Sequence, residues 1–309
     1  MPSRTVHVSE NGMRLDRFLK IHFGGVRLGR NGARLTVDGR PATPGEVLRA
    51  GQVVAFAERE QIVASPRDIP ALSAKDRAFL NDITLYEDED IIVFDKPSGL
   101  AVHPGTKVTR DLDTLLAASA ERGEERPVLV HRLDKDTSGI LVAAKRADVA
   151  RVLGKAFAGR DVAKEYRAVV AGVPDLALLP RTSDGEAVID IALVKRQTPK
   201  GGRMVAAGDD PEGQSAVTRL RIIGADRDRA CAHVALFPET GRQHQLRVHM
   251  ALIGHSILGD ALYGDRSAAP RLLLHAHRLS FRHPRKGRMM VEAAIPDIFL
   301  ATPGFVAGC

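Results

Sequence analysis

VHRLDKDTSGILVAAK, residues 130–145, is the stretch on which the reading of this chain turns. One acid, Asp134, follows the pair His131-Arg132 and precedes the Lys135-Asp-Thr-Ser-Gly139 turn. The apolar run Ile140-Leu-Val-Ala-Ala144 then reads as a buried strand. A carboxylate among cations, beside a tight turn against the core, has the makings of a reactive site. The same pattern also describes a structural turn aspartate in an ion-pair network. The rest of the chain decides between the two.

At 309 residues there is enough chain for one large or two smaller domains with proper cores. Net charge is +7 and the pI about 9.6, which favours a polyanionic partner, most simply nucleic acid. Two cysteines, Cys231 and Cys309, lie far apart without metal-ligand spacing, so neither a disulfide framework nor a zinc site is expected. There is no apolar run near ~18 residues and no charged-then-apolar start. A membrane span and a signal peptide are therefore not expected, and a reducing cytoplasm is. With no Trp, stacking partners narrow to a few rings, among them Tyr86, Tyr166 and Tyr263.

Upstream, residues 1–60 carry ten Lys and Arg against six Asp and Glu, more than half the net charge in a fifth of the length. Leu15, Phe18 and Leu19 have the spacing of an amphipathic helix. Leu35 and Val37 alternate ahead of the hairpin signal Asp38-Gly39, and Arg49-Ala50-Gly51 turns into a last strand from Val53 to Phe56. RLDRFL, VDGRPA and LRAGQVV in this order resemble the alpha-L RNA-binding domain, whose second basic helix would fall between the first helix and the strands. Here that interval, GGVRLGRNGA (24–33), holds four glycines. Each costs about 1 kcal/mol in a helix, so that helix is expected to be shortened or lost. Arg27, Arg30 and Arg34 are candidate phosphate contacts, or else a solvated basic loop.

Residues 61–84, with Pro66 and Pro70, read as a linker with one short helix. Beyond it the acidic run Glu87-Asp-Glu-Asp90 reads as exposed and Ile91–Phe94 as a strand, stopped by the Lys96-Pro-Ser-Gly99 turn. Helices are expected around Leu112–Leu116 and Ala147–Phe157. Period two in Lys164–Gly172 puts Lys164, Tyr166, Ala168 and Val170 on one strand face. Hairpin signals punctuate the remainder, with strands at 216–223, 231–237, 272–281 and 289–295. Strands dominate and their turns imply antiparallel pairing, which gives an α+β fold with a mixed, mostly antiparallel sheet and flanking helices.

A second cluster lies at Thr240-Gly-Arg-Gln243, which has the form of a capping box opening a helix to about Ile253. Arg247 falls at the edge of its apolar face, where a half-desolvated guanidinium wants a carboxylate in bidentate geometry. Asp134 is the candidate, and pairing would keep it ionised despite burial. The plainer readings are an ordinary ion pair, or an Arg247 that reaches water.

HRLDKDTSG together with RQHQLRVH, flanked by EDEDIIVFDKPSGLAVHPG, KEYRAVVAG, GDALYGD and LLLHAHRLSFRHP, resembles the Rlu-type pseudouridine synthases over residues 85–300. The resemblance implies a catalytic domain there, behind the alpha-L-like unit 1–60 and the linker 61–84, with 301–309 a tail. It implies an enzyme that isomerises uridine in RNA without metal or cofactor, with Asp134, Tyr166 and Arg247 catalytic. His131, Arg132, Lys164 and Gln245 match family positions and are read as RNA contacts or supports, and His249 as a packed histidine. Whether Asp134 attacks the base, attacks the sugar or removes a sugar proton stays open. The alpha-L-like unit points to large-subunit ribosomal RNA, with transfer RNA, or a binding-only assembly role, as alternatives. A monomer is the simplest expectation.

Overall fold

The strand Ser138–Ala144 is buried at every position because both of its faces are covered. Ile140, Val142 and Ala144 pack with Val149 and Leu153 of the helix Ala147–Ala158. Leu141 and Ala143 point the other way, onto Leu112, Leu115 and Leu116 of the helix Leu112–Ser119. Side chains of a pleated strand alternate, so a strand clad on both sides must read as a continuous apolar run. Asp111 caps the second helix by accepting the Thr114 N–H at 2.9 Å.

The chain is a computed structural model that describes residues 3–22, 34–43, 45–57, 72–104, 110–120, 125–159, 161–198, 201–228 and 230–301. It divides into two compact units, 1–69 and 70–309. In the larger, eight strands run across one sheet in the order Ala187–Asp190, Val217–Asp226, Cys231–Pro238, Ala163–Ala171, Leu274–His283, Ser138–Ala144, Ile91–Lys96, Thr84–Glu87. Gly287–Glu292 and Val128–Leu129 pair beside this path. Neighbours are antiparallel except where Leu274–His283 meets Ser138–Ala144 in parallel, His275 opposite Ser138 and Ala276 opposite Gly139. The fold is α+β with a mixed, mostly antiparallel sheet. At that parallel junction Gly139 has φ +108°, and a Cβ there would overlap the Ala276 carbonyl. The glycine of the Thr-Ser-Gly turn is therefore demanded by the close approach of two backbones.

A second core lies on the other half of the sheet, where Ala168, Val170, Val234 and Leu236 pack against Leu246 and Met250 of the helix Gln245–Leu252. The short helix expected within 61–84 is Ala74–Asp82, with Leu80 buried and Ile83 packed in the same core as Phe94. One expectation changes here. The run Glu87–Asp90 is not all exposed: Asp90 is 3% exposed, and Asp88 accepts the Ile91 and Asp90 N–H groups, the Tyr86 hydroxyl and the Lys286 ammonium. These acids close the turn into the strand Ile91–Lys96.

The smaller unit packs the helix Leu15–His22 on a sheet ordered Ser3–Thr5, Val53–Ala57, Arg34–Val37, Arg40–Pro41, with Leu15, Phe18, Leu19, Leu48 and Val54 in its core. Asp38 and Gly39 both have positive φ (50° and 78°), the backbone a two-residue hairpin needs. Arg27 and Arg30 lie outside the described residues. Arg34 opens its strand, but its side chain also lies outside them. Among the described residues no helix is long and apolar enough to cross a membrane.

Candidate active site

The loop that carries Asp134 is braced from both ends. On its upstream side the Val130 N–H donates to the Val142 carbonyl at 3.2 Å, and His131 Nε2 accepts the Val142 N–H at 3.0 Å. The His131 ring lies flat on Phe157, centroids 4.2 Å apart. Burial, with the charge of Lys164, lowers its pKa to about 3, so the ring is neutral. Downstream, the Thr137 N–H closes the turn onto the Asp134 carbonyl at 3.2 Å. From behind, the Lys96-Pro-Ser-Gly99 turn holds the loop: Gly99 N–H donates to the Lys135 carbonyl at 2.9 Å and Ser98 Oγ to the Asp136 carbonyl at 2.7 Å. Lys96, fully buried, donates to the carbonyls of Pro97, Leu100 and Lys135, each at 3.0 Å. Burial brings its ammonium down to about 7, against the pull of Asp136 and Asp134.

Asp134 faces a cleft of about 470 Å³, within the usual range for a small-ligand site. Phe157, Tyr166, Leu246 and Leu274 give it apolar walls; Arg132, Lys164 and Arg242 line it with cations. Tyr166 is half-buried on the strand Ala163–Ala171, on the predicted face, and burial plus the Asp134 charge push its phenol upward, so it stays protonated. Lys164 Nζ lies 5.8 Å from the Phe157 ring centre, its pKa lowered by burial. Arg132 is exposed.

Arg247 does meet Asp134, Nη1 to Oδ2 at 3.6 Å, but the bidentate partner expected there is a different acid. Arg247 Nε and Nη2 donate to Asp260 Oδ2 and Oδ1 at 2.8 and 2.7 Å. Asp260 also accepts the N–H groups of Leu262 and Tyr263 at 2.8 and 3.1 Å. The side chains of Arg247 and Asp260 are 4% and 0% exposed, whereas Asp134 keeps 18%. A guanidinium without water takes the acid that is equally dry, and Asp134 is left with the remaining nitrogen. Burial opposes the charge on Arg247, yet the Asp260 bonds and charge, with Asp134 behind them, raise its pKa. Asp260 is held low by the same bonds against its own burial. It follows Gly259, where a Cβ would overlap the Arg271 carbonyl.

The capping box is also corrected. The helix runs Gln245–Leu252, with His244 as its N-cap residue in left-handed backbone. Thr240 Oγ1 instead accepts the Val217 N–H at 3.0 Å and donates to Gln245 Oε1 at 2.7 Å, tying the sheet to the helix. Of the two readings of Gln245, RNA contact or support, the structure favours the support. The residue is 3% exposed, and its amide is occupied by Thr240, the Arg242 N–H, the Val217 carbonyl and Thr218, which leaves it nothing for a ligand. His249 is packed as expected, between Thr218 Oγ1 (2.9 Å) and the Ile191 carbonyl (3.0 Å). Sequence reasoning missed His244, Asp260 and Tyr263. The available signals were a glycine-acid turn with an aromatic three residues on, and a histidine between two glutamines.

The family model for RNA pseudouridylate synthase matches residues 90–252, the span that holds Asp134, Tyr166 and Arg247, and the chain belongs to that family. Within it the chain is of the Rlu type, an enzyme that isomerises uridine to pseudouridine. It is 34% identical to ribosomal large subunit pseudouridine synthase C of Escherichia coli O157:H7, over 94% of this chain and 92% of that protein. It is 37% identical to ribosomal large subunit pseudouridine synthase D of Xanthomonas campestris pv. campestris, over 84% and 77%. The solved structure of human RNA Pseudouridylate Synthase Domain Containing 4 aligns with a TM-score of 0.57 at 29% identity, covering 73% of this chain and 93% of that one.

Proposed function

We propose that this pseudouridine synthase acts on large-subunit ribosomal RNA, with Asp134 as the reacting carboxylate and without a cofactor. The observation that carries the site is the placement of Asp134: a partly exposed carboxylate on the wall of a cleft lined by apolar and cationic side chains, 3.6 Å from a guanidinium that a second acid holds rigid. The ribosomal substrate rests on the two synthases named above, 34% and 37% identical to this chain.

The reaction is contained in one nucleotide. The N1–C1′ bond breaks, the base turns, a C5–C1′ bond forms, and the C5 proton leaves while N1 gains one. No electrons are exchanged, so the enzyme has to supply positioning and charge. A stacked uridine must first swing out of its helix into the cleft. Tyr166 offers it a ring to lie on. Arg132 and Lys164, which line the cleft, are assigned the flanking phosphates, and an ionised Asp134 has the Arg247 charge beside it throughout. The smaller basic unit 1–69 is assigned a share of RNA binding on its charge.

Base-resolution pseudouridine mapping of total RNA, with and without the gene, tests the substrate. Marks lost from large-subunit ribosomal RNA support the reading; marks lost only from transfer RNA overturn it. With purified protein, Asp134→Asn abolishes turnover and leaves RNA affinity within about threefold, an uncharged isostere costing little of the phosphate attraction. Turnover by Asp134→Asn would overturn the assignment of the carboxylate.

A further inference from the structure

His244 has φ +54°, left-handed backbone that a non-glycine residue adopts rarely and that collects at functional sites. Its ring lines the cleft between two groups. Nδ1 lies 2.9 Å from the Tyr263 hydroxyl, and Nε2 lies 3.8 Å from Oδ2 of Asp134. The Tyr263 oxygen already accepts the Met204 N–H at 3.1 Å. Among the described residues His244 Nδ1 is the other polar atom on that oxygen, and it is in place to accept the hydroxyl proton. A neutral imidazole that accepts at Nδ1 carries its own proton on Nε2. Burial favours the neutral ring; Asp134 and Asp260 pull the other way, and Arg247 and Arg132 reinforce burial. One N–H is thereby aimed at the carboxylate.

The two approaches to Asp134 converge on the same atom. Arg247 Nη1 at 3.6 Å and His244 Nε2 at 3.8 Å both address Oδ2. Neither separation is yet a hydrogen bond. A closure of less than about 1 Å makes both, and such bonds commonly tighten only when substrate is bound.

We infer that His244, held by Tyr263 as the Nε2–H tautomer, is a positioning residue that fixes Oδ2 of Asp134 together with Arg247 and so presents Oδ1 to the nucleotide. This rests on Asp134 being the reacting carboxylate. The tautomer is read without reference to activity, by long-range 1H–15N correlation spectra of 15N-histidine-labelled full-length protein, with the His244 signals assigned by their loss in His244→Gln. The expected spectrum shows Nε2 protonated and Nδ1 bare, and Tyr263→Phe erases the preference. In turnover, Gln places an amide near the Nε2 position and Asn places it near Nδ1. His244→Gln therefore keeps kcat within about tenfold of native, while His244→Asn and His244→Ala lose about a hundredfold, with KM for RNA within about threefold in all three. Thermal unfolding checks that the three variants are equally folded. A native ring protonated on Nδ1, or a Gln variant no faster than the Ala variant at equal Tm, would overturn the inference. Turnover by Asp134→Asn would remove its foundation as well, while the spectrum would still report the tautomer, so the two failures are told apart.

Discussion

Removing Asp260 tests whether the site is held from beneath. In Asp260→Ala the Arg247 guanidinium, 4% exposed, loses two hydrogen bonds of 2.8 and 2.7 Å, and the Leu262 and Tyr263 N–H groups lose their acceptor. Breaking a buried pair by deleting one partner costs about 3–5 kcal/mol. Asp134 is 3.6 Å away and can move in, which places the loss toward about 3 kcal/mol. For a unit of this size about 2–4 °C is lost per kcal/mol, so Tm falls by about 6–12 °C. Turnover falls as well, because the acid that should face the nucleotide is drawn into the guanidinium. A second variant separates the two effects. Arg247→Met with Asp260→Leu replaces the pair by apolar groups, a change that is often neutral for stability. Thermal melts and single-turnover pseudouridine formation on the same samples then diverge: the double variant regains the part of the Tm loss due to the stranded guanidinium, the Leu262 and Tyr263 N–H groups still lacking their acceptor, and regains no turnover. A loss under about 2 °C in Asp260→Ala, or a double variant that recovers activity, would refute the reasoning.

Gly139→Ala places a methyl group on the Ala276 carbonyl at φ +108°, so the parallel strands must part; soluble yield and Tm drop sharply, whereas Gly185→Ala, strained but in open space, loses much less. Gln245→Ala lowers stability by about 1–3 kcal/mol through its stranded partners and leaves the salt dependence of RNA affinity unchanged. Arg132→Ala does the reverse, reducing the slope of log affinity against log salt by about 1 at native Tm. Stability also falls in acid. Burial lowers His131 to about 3 and His275 to about 4, below the ~6.5 of an unfolded chain, so below that pH the unfolded state binds more protons. Their contribution is whole above about pH 6.5 and is lost as the pH falls through 4 and 3; urea midpoints across that window measure it, and His275→Gln removes part of the slope.

What the sequence disclosed and what it withheld divide along a physical line. Ser138–Ala144 was legible as buried because a strand covered on both faces leaves an unbroken apolar run, and Tyr166 was legible on its face because period two is written in adjacent residues. The helices at Leu112–Ser119 and Ala147–Ala158 announced themselves in the same local way. Partner choice is different in kind. Arg247 was matched to Asp134 alone, and its fork goes instead to Asp260, the acid equally free of water, a property of the assembled fold. Thr240 illustrates the same limit: a hydroxyl three residues ahead of an amide looks alike whether it caps a helix or, as here, ties the Val217 N–H to Gln245. The acids of 87–90 read as solvent-facing until Ile91, Tyr86 and Lys286 were seen to close on Asp88. Residue type and period thus located the cleft, while desolvation assigned the jobs within it. Because Asp260 takes the driest bonds of Arg247, Asp134 stays partly solvated beside a fixed positive charge, the combination that the role proposed for it calls for.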